Sequence, residues 1–402
     1  MQIQMIGHAS IFVETYDCKI LIDPVFGDSF CEGLNSVCPK REVIHELLPE
    51  FDFLIISHRH LDHFDIRTLA YLNKKVNVLI PPDKLIKNCL KKLGFSKIIC
   101  LKDFQEVKNG STTILTTRSE NRLPEFGIVV SDESGVFWNV VDTILSYQTI
   151  SFIRSRYSSI SFLLANWQPM LEINYQLNES LLFPYSRYNQ MLYDISLIQP
   201  KVIAPGANGF KYIQGSSWLN RVVFPVTIER FCEDVKIVCP EMKSTFILNP
   251  GDSLMFCNDQ YHYTNDMCRF VKKIVDDRDS LDFLPVMING NLIDQNTEKY
   301  ELSLLKEVIY EEICLNLPDF IIKHWNSFFV EHRRWQVIYQ LEIFFPNGSK
   351  KWVIDFSKEN IEVTKGRNPL ANFFTYITAS SFYDLIKENR DWDYIFCVRI
   401  QV

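Results

Sequence analysis

The sequence predicts an α/β protein, and three observations carry that reading. Short apolar runs with period-two alternation recur at the N-terminus: Gln2-Ile3-Gln4-Met5-Ile6, Ser10-Ile11-Phe12-Val13-Glu14 and Lys19-Ile20-Leu21-Ile22. Such runs, with turns between them, read as strands. From Phe53 to Cys100, strand-like and helix-like segments alternate, which is the mark of βαβ units. Between them, Ser57-His58-Arg59-His60-Leu61-Asp62-His63 leaves the end of the apolar run Phe53-Leu54-Ile55-Ile56.

Taken in order, Asp23-Pro24 ends the third strand, and Gly7-His8-Ala9-Ser10 turns between the first two. By residue type alone, His8 reads as a core histidine. Asp65 to Asn73 is a predicted helix with Asp65 as its cap. Asn77 to Ile80 is a strand, Asp83 to Leu93 a helix that Gly94 can end, and Lys97 to Cys100 a strand. Glu106 to Lys108 and Thr112 to Thr117 pair around Asn109-Gly110. Two more strands flank Glu133-Ser134-Gly135, and Asp142 follows the second. A helix over 144–154 is predicted next, for which Asp142 could be the N-cap.

Composition shifts near Asn258–Asp266. Beyond it, Lys272–Leu284, Ser303–Leu315 and Thr378–Asn389 are predicted helices. Trp335–Ile343 and Lys351–Phe356 are strands around Pro346-Asn347-Gly348. The predicted division is therefore 1–257 and 266–402, with an α+β second part containing His324 and His332, read as surface or core histidines.

The chain has 402 residues, 47% hydrophobic and 23% charged, as expected of a folded protein. A net charge of -7 argues against a surface for nucleic-acid phosphates. Eleven scattered cysteines, an odd number with no C-x-x-C pair, predict reduced thiols and a cytoplasmic protein. Met1 to Met5 has no signal-peptide pattern, and no apolar run approaches the roughly 20 residues of a membrane span.

The chemistry concentrates at residues 58–63. Neutral imidazoles and carboxylates are the ligands of borderline divalent metals. Alternate residues of an extended turn point the same way, so His58 and His60 can grip one ion. Asp62 and His63 then point to a second.

This H-x-H-x-D-H pattern resembles the metallo-β-lactamase superfamily, which implies an αββα sandwich with a metal site at one edge of its two sheets. The resemblance also implies that Asp142 matches the bridging aspartate of the usual G-D-T, with Val141 in place of the glycine. The pair G-H-A-S and L-I-D-P is similar to the opening of a lactonase- and phospholipase-like branch, where the histidine lies near the metals. That makes His8 a candidate substrate-facing or supporting group, with Asp62, in catalysis. The superfamily's usual hydrolases have two further histidines, but His63 is followed by none before His262. Glu125 is the candidate replacement for the first, with Glu120 second. Asn208 or Gln214 is the candidate for the other.

Residues 57–63, 138–142, 199–205 and 249–252 together resemble the metallo-β-lactamase part of the CMP-N-acetylneuraminate hydroxylase family, over roughly residues 1–255. The C-terminal part resembles a sterol-carrier-like fold. That hydroxylase family also has a Rieske domain, whose C-x-H…C-x-x-H pattern this sequence lacks. The implied metal set is His58, His60, Asp62, His63, Glu125 and Asp142. Its carboxylate content favours iron, as a di-iron site, over zinc or manganese. The expected function is O2-dependent hydroxylation of a small or carrier-bound metabolite, with an external electron donor. A dinuclear hydrolase of an ester, lactone, amide or phosphodiester is the alternative. A metal-pinned binding protein without catalysis is a third reading.

Overall fold

The computed structural model describes residues 1–281, 293–358, 361–368, 370–398 and 400–401. These fall into two compact units, 1–170 with 183–284, and 171–182 with 285–402.

The first unit contains β1 (Gln2–Gly7), β2 (Ser10–Glu14), β3 (Lys19–Ile22), β4 (Phe53–Ile55), β5 (Asn77–Ile80) and β6 (Lys97–Cys100). It continues with β7 (Glu106–Asn109), β8 (Thr112–Arg118), β9 (Phe126–Asp132), β10 (Gly135–Asn139), β11 (Phe162–Ala165) and β12 (Val202–Pro205). Its last strands here are β13 (Ser244–Thr245), β14 (Ser253–Cys257) and β15 (Gln260–Thr264). One sheet runs β15-β14-β1-β2-β3-β4-β5-β6, the other β13-β12-β11-β10-β9-β8-β7. In each, hairpin-linked strands pair antiparallel and crossover-linked strands pair parallel.

Period-two alternation dictates the layers. Ile20, Ile22, Phe53 and Ile55 meet Ile128, Val130, Phe137 and Phe162 in one core between the sheets. Leu21 and Leu54, one residue out of phase, face the opposite way. They pack under α1 (Ile66–Tyr71) and α2 (Lys84–Lys92), through Leu69, Ile86 and Leu90. Val129, Trp138 and Leu163 do the same under α3 (Tyr147–Arg156), α4 (Tyr185–Ile198) and α5 (Ile228–Val238). The result is a four-layer αββα sandwich. Each such buried side chain contributes about 1.5–3 kcal/mol.

Local signals act where the sequence placed them. Asp65 accepts from Thr68 N and starts α1; Asp83 accepts from Leu85 N and Ile86 N and starts α2. Gly94, at φ 93°, follows the end of α2 in the left-handed region that glycine tolerates. The helix expected at 144–154 starts instead at Tyr147, and its cap is Ser146, which accepts from Thr149 N. Asp142 is thereby left free of any capping duty.

Two expectations change. Val271–Val275 is a strand, paired antiparallel with Lys40–Val43, where a helix from Lys272 was expected. Residues 282–284 of that expected helix lie outside the described residues. The strands of the first unit also continue through the expected boundary at 257–266, because Gln260–Thr264 and Val271–Val275 pair with its strands.

The second unit holds a five-stranded sheet. Ile338–Phe345 lies at its centre, antiparallel to Gly348–Asp355 and parallel to Phe373–Thr378. Helices Leu302–Glu311, Leu317–Lys323 and Ala379–Ile386 belong to the same unit. No helix among the described residues is long and apolar enough to cross a membrane.

Candidate metal centre

The site forms where strand ends from both sheets meet. The parallel pairing of β3 with β4 brings Asp23 and Ser57-His58 to one edge. Phe126 N, at the start of β9, donates to Ser57 O across the sheets at 3.3 Å. That bond brings Glu125 to the histidine turn. Asp142 arrives from the end of β10.

His58 Nε2 and His60 Nδ1 are 2.9 Å apart. His63 Nε2 lies 3.2 Å from Asp142 Oδ2 and 3.7 Å from Asp62 Oδ2. His58 Nε2 is 3.9 Å from Asp142 Oδ2. Two donors about 2.1 Å from one ion, at tetrahedral to right angles, stand about 3.0–3.4 Å apart. The His63–Asp142 separation falls in that range, the His58–His60 one just below it and the other two beyond it, and two sets converge: His58, His63 and Asp142, and His8, Asp62 and His63.

Several buried polar atoms here have no hydrogen-bond partner: His63 Nε2, Asp142 Oδ1, Glu125 Oε2 and His8 Nδ1. The His63–Asp142 contact is thus a close approach of charge without hydrogen-bond geometry. An unmade buried bond costs about 1–3 kcal/mol. The unpartnered His63 Nε2 and Asp142 Oδ1, on residues that converge in one set with His58, fit a cation that would engage them.

Asp23 sets the ring orientations. Its Oδ2 pairs with His63 Nδ1 at 2.9 Å and accepts from Ser57 Oγ at 2.6 Å. Its Oδ1 accepts from Ser57 N at 2.7 Å. Since Ser57 Oγ has given its hydrogen to Asp23, it accepts from His58 Nδ1 at 2.9 Å. Both histidines then hold a proton on Nδ1 and turn Nε2 inward, the orientation a metal requires once His63 gives up its second proton. Behind this, the buried Arg41 donates to the carbonyls of Ile6, Val25 and Phe26. It ties the turn carrying His8 to the loop after Asp23. Arg59 pairs with the fully buried Asp83 carboxylate at 2.6 Å and braces the turn from outside.

The electrostatics follow from burial and crowding. Burial, then its histidine neighbours, holds His58 well below the usual imidazole range. Burial pulls His63 down too, but Asp142 and Asp62 overcome it and raise His63 well above that range. Burial lifts Asp62 and Asp142, and His63 overcomes it in both, taking Asp142 down to about 2. Glu125 is raised chiefly by burial, against a hydrogen bond from Ser119, and it senses both Asp142 and His60.

Of the residues singled out from sequence, the structure brings His8, His58, His60, Asp62, His63 and Asp142 together, with Glu125 alongside. Glu120 pairs with Arg118 instead. Asn208 donates to Asn166. Asp23, Ser57 and Arg41 were missed as site residues. The Leu21-Ile22-Asp23-Pro24 run carried the signal for Asp23, a carboxylate at a buried strand's end. Val141, at φ 55°, is a β-branched residue in the left-handed region, where the usual G-D-T has glycine. Strain of this kind costs about 1–3 kcal/mol and gathers at functional sites.

Residues 2–124 match the family model described as beta-lactamase superfamily domain. A Mycobacterium tuberculosis protein named as a Rieske 2Fe-2S iron-sulfur protein is 29% identical over 153 residues, 35% of this chain and 30% of that one. The 4-amino-L-phenylalanyl-[CmlP-peptidyl-carrier-protein] 3-hydroxylase of Streptomyces venezuelae is 27% identical over 121 residues, 28% of this chain and 22% of that one. The match thus spans under a third of these curated relatives. Among solved structures, isothiocyanate hydrolase from Delia radicum gut bacteria aligns with TM-score 0.48 and 17% identity, over 64% of this chain and 100% of that one.

Proposed function

From a beta-lactamase superfamily domain at residues 2–124, we propose an iron-dependent oxygenase that hydroxylates a small or carrier-bound metabolite. The supporting observation is Glu125. It stands beside the histidine turn, buried, with one oxygen unpartnered. A hydrolytic zinc site takes mostly neutral nitrogen donors. Exchanging one for a carboxylate adds negative charge and an oxygen donor, which suits iron in more than one oxidation state.

In this reading His58, His60 and Glu125 would hold one ion, Asp62 and His63 a second, and Asp142 both. When bound, the iron pair would supply the electron-transfer chemistry that zinc lacks, with open positions for O2. The protein's own work is orientation. Asp23 and Ser57 fix the imidazoles, and Asp142 faces His58 and His63 together. Asp62 has one side open to solvent, its side chain 20% exposed, with His8 Nε2 at 3.0 Å. With the second ion absent, this pair can hold a proton at Asp62 Oδ2.

One relative is named as a hydroxylase of an aminoacyl group on a peptidyl carrier protein, and another as a Rieske protein. Those names support a carrier-bound substrate and a separate electron donor. The test is turnover of candidate carrier-bound and free amino-acid substrates by iron-loaded and zinc-loaded protein, with and without O2. The oxygenase reading expects product only with iron, O2 and reductant. Full activity of the zinc form without O2 would put two-metal hydrolysis of an ester, lactone, amide or phosphodiester in its place.

A further inference from the structure

We infer that His8 is a direct ligand of the second ion. The inference rests on the metal-site reading above and extends it.

The donor geometry comes first. His8, Asp62 and His63 each place a ligand atom within 4.8 Å of the other two. His8 Nε2 and Asp62 Oδ2 are 3.0 Å apart, the span of two donors at about a right angle on one ion. Without His8, the second ion has only Asp62, His63 and a share of Asp142.

The loop expected to supply the missing ligand has a different task. Gly209 lies against the His8 backbone, where an added Cβ would meet His8 Cα at 3.0 Å and N at 3.1 Å. Phe210 sets its ring edge-on to the His8 imidazole at 5.2 Å, and Phe30 stacks on it at 5.8 Å. The segment therefore walls the imidazole in from one side and offers it no polar competitor. His8 itself sits at φ 53°, in the left-handed region that costs a non-glycine residue. A histidine seated on a strained turn between two rings, with its nitrogen turned to Asp62, is held for a partner. Its ring is fully buried, so that partner is inside the site.

A supporting role would be different in kind. If His8 only donates a hydrogen bond to Asp62, an amide can replace it. The test is Co2+ titration of the full chain, read by visible absorption and by metal analysis after desalting. The wild type should retain two ions per chain. His8→Ala and His8→Asn should each retain one, with the second bound more weakly by more than the ~10–100-fold that loss of an outer partner costs. Added imidazole should restore the second ion to His8→Ala. An unchanged thermal melt of the one-ion form shows that the variants fold. Two tightly held ions in folded His8→Asn would overturn the inference and leave His8 a hydrogen-bond donor. Fewer than two ions in the wild type would instead overturn the two-ion reading on which it rests.

Discussion

Asp23 and His63 are bonded at 2.9 Å with both side chains wholly shielded from water. The same carboxylate holds Ser57 through its amide and hydroxyl, and through Ser57 it orients His58. One buried charge thus fixes two candidate ligands. Asp23→Ala should destabilise the metal-free protein by about 3–5 kcal/mol, because it strands a buried histidine. It should also weaken metal binding by about 10–100-fold. Denaturant melts and a metal titration read the two effects. Wild-type metal affinity in a folded Asp23→Ala protein would refute the positioning role.

The metal-free protein should lose stability as pH rises above about 6.5, the unfolded histidine value, beyond which the depressed His58 adds no further stability. His63 is raised above its unfolded value by Asp142 and Asp62. Its contribution is fully present below the unfolded pKa of about 6.5 and is lost as pH climbs through the folded value. Asp62 and Asp142 are depressed, so theirs is present above about 3.9 and fades on acidification toward about 2 for Asp142. Metal must displace the His63 proton, so metal affinity should rise over the range where apo stability falls. Melting temperatures of apo and loaded protein from about pH 5 to pH 9 check this. Parallel profiles would contradict it.

Replacing Glu125 should change which metal is kept. Glu125→His restores a third nitrogen donor and removes a carboxylate. The ratio of zinc to iron in protein from cells given both metals should rise severalfold. Glu125→Gln keeps the shape but not the charge, and should lower iron retention. Metal ratios unchanged in both variants would exclude Glu125 from the site.

Removing the two imidazoles 2.9 Å apart is the severest test of the site itself. His58→Ala with His60→Ala should abolish tight binding of the first ion. Undiminished metal content in that variant would show that the ion lies elsewhere.

The strands and their caps were legible because their causes are local. Ile20-Leu21-Ile22 and Phe53-Leu54-Ile55 alternate faces, and Asp65 and Asp83 cap the helices they precede. The histidine turn was legible because its spacing is its chemistry. What sequence could not convey depends on long-range pairing. Val271–Val275 carries two lysines and reads as a charged helix until Lys40–Val43 lies beside it. Glu125 reaches the cluster through the Phe126–Ser57 backbone bond, which no side chain announces. Asp23 before a proline reads as a turn residue until the parallel register of β3 and β4 sets it under Ser57.

The central claim is that this donor set serves O2 chemistry, and oxygen uptake tests it most directly. Iron-loaded protein is reduced anaerobically, desalted and mixed with buffer containing O2, with an oxygen electrode and visible spectrum recorded together. The account expects O2 consumption proportional to bound iron, with a new absorption band, and neither from zinc-loaded protein or the His58→Ala, His60→Ala variant. Stable ferrous protein that consumes no O2, beside a zinc form that hydrolyses esters or lactones anaerobically, would contradict it.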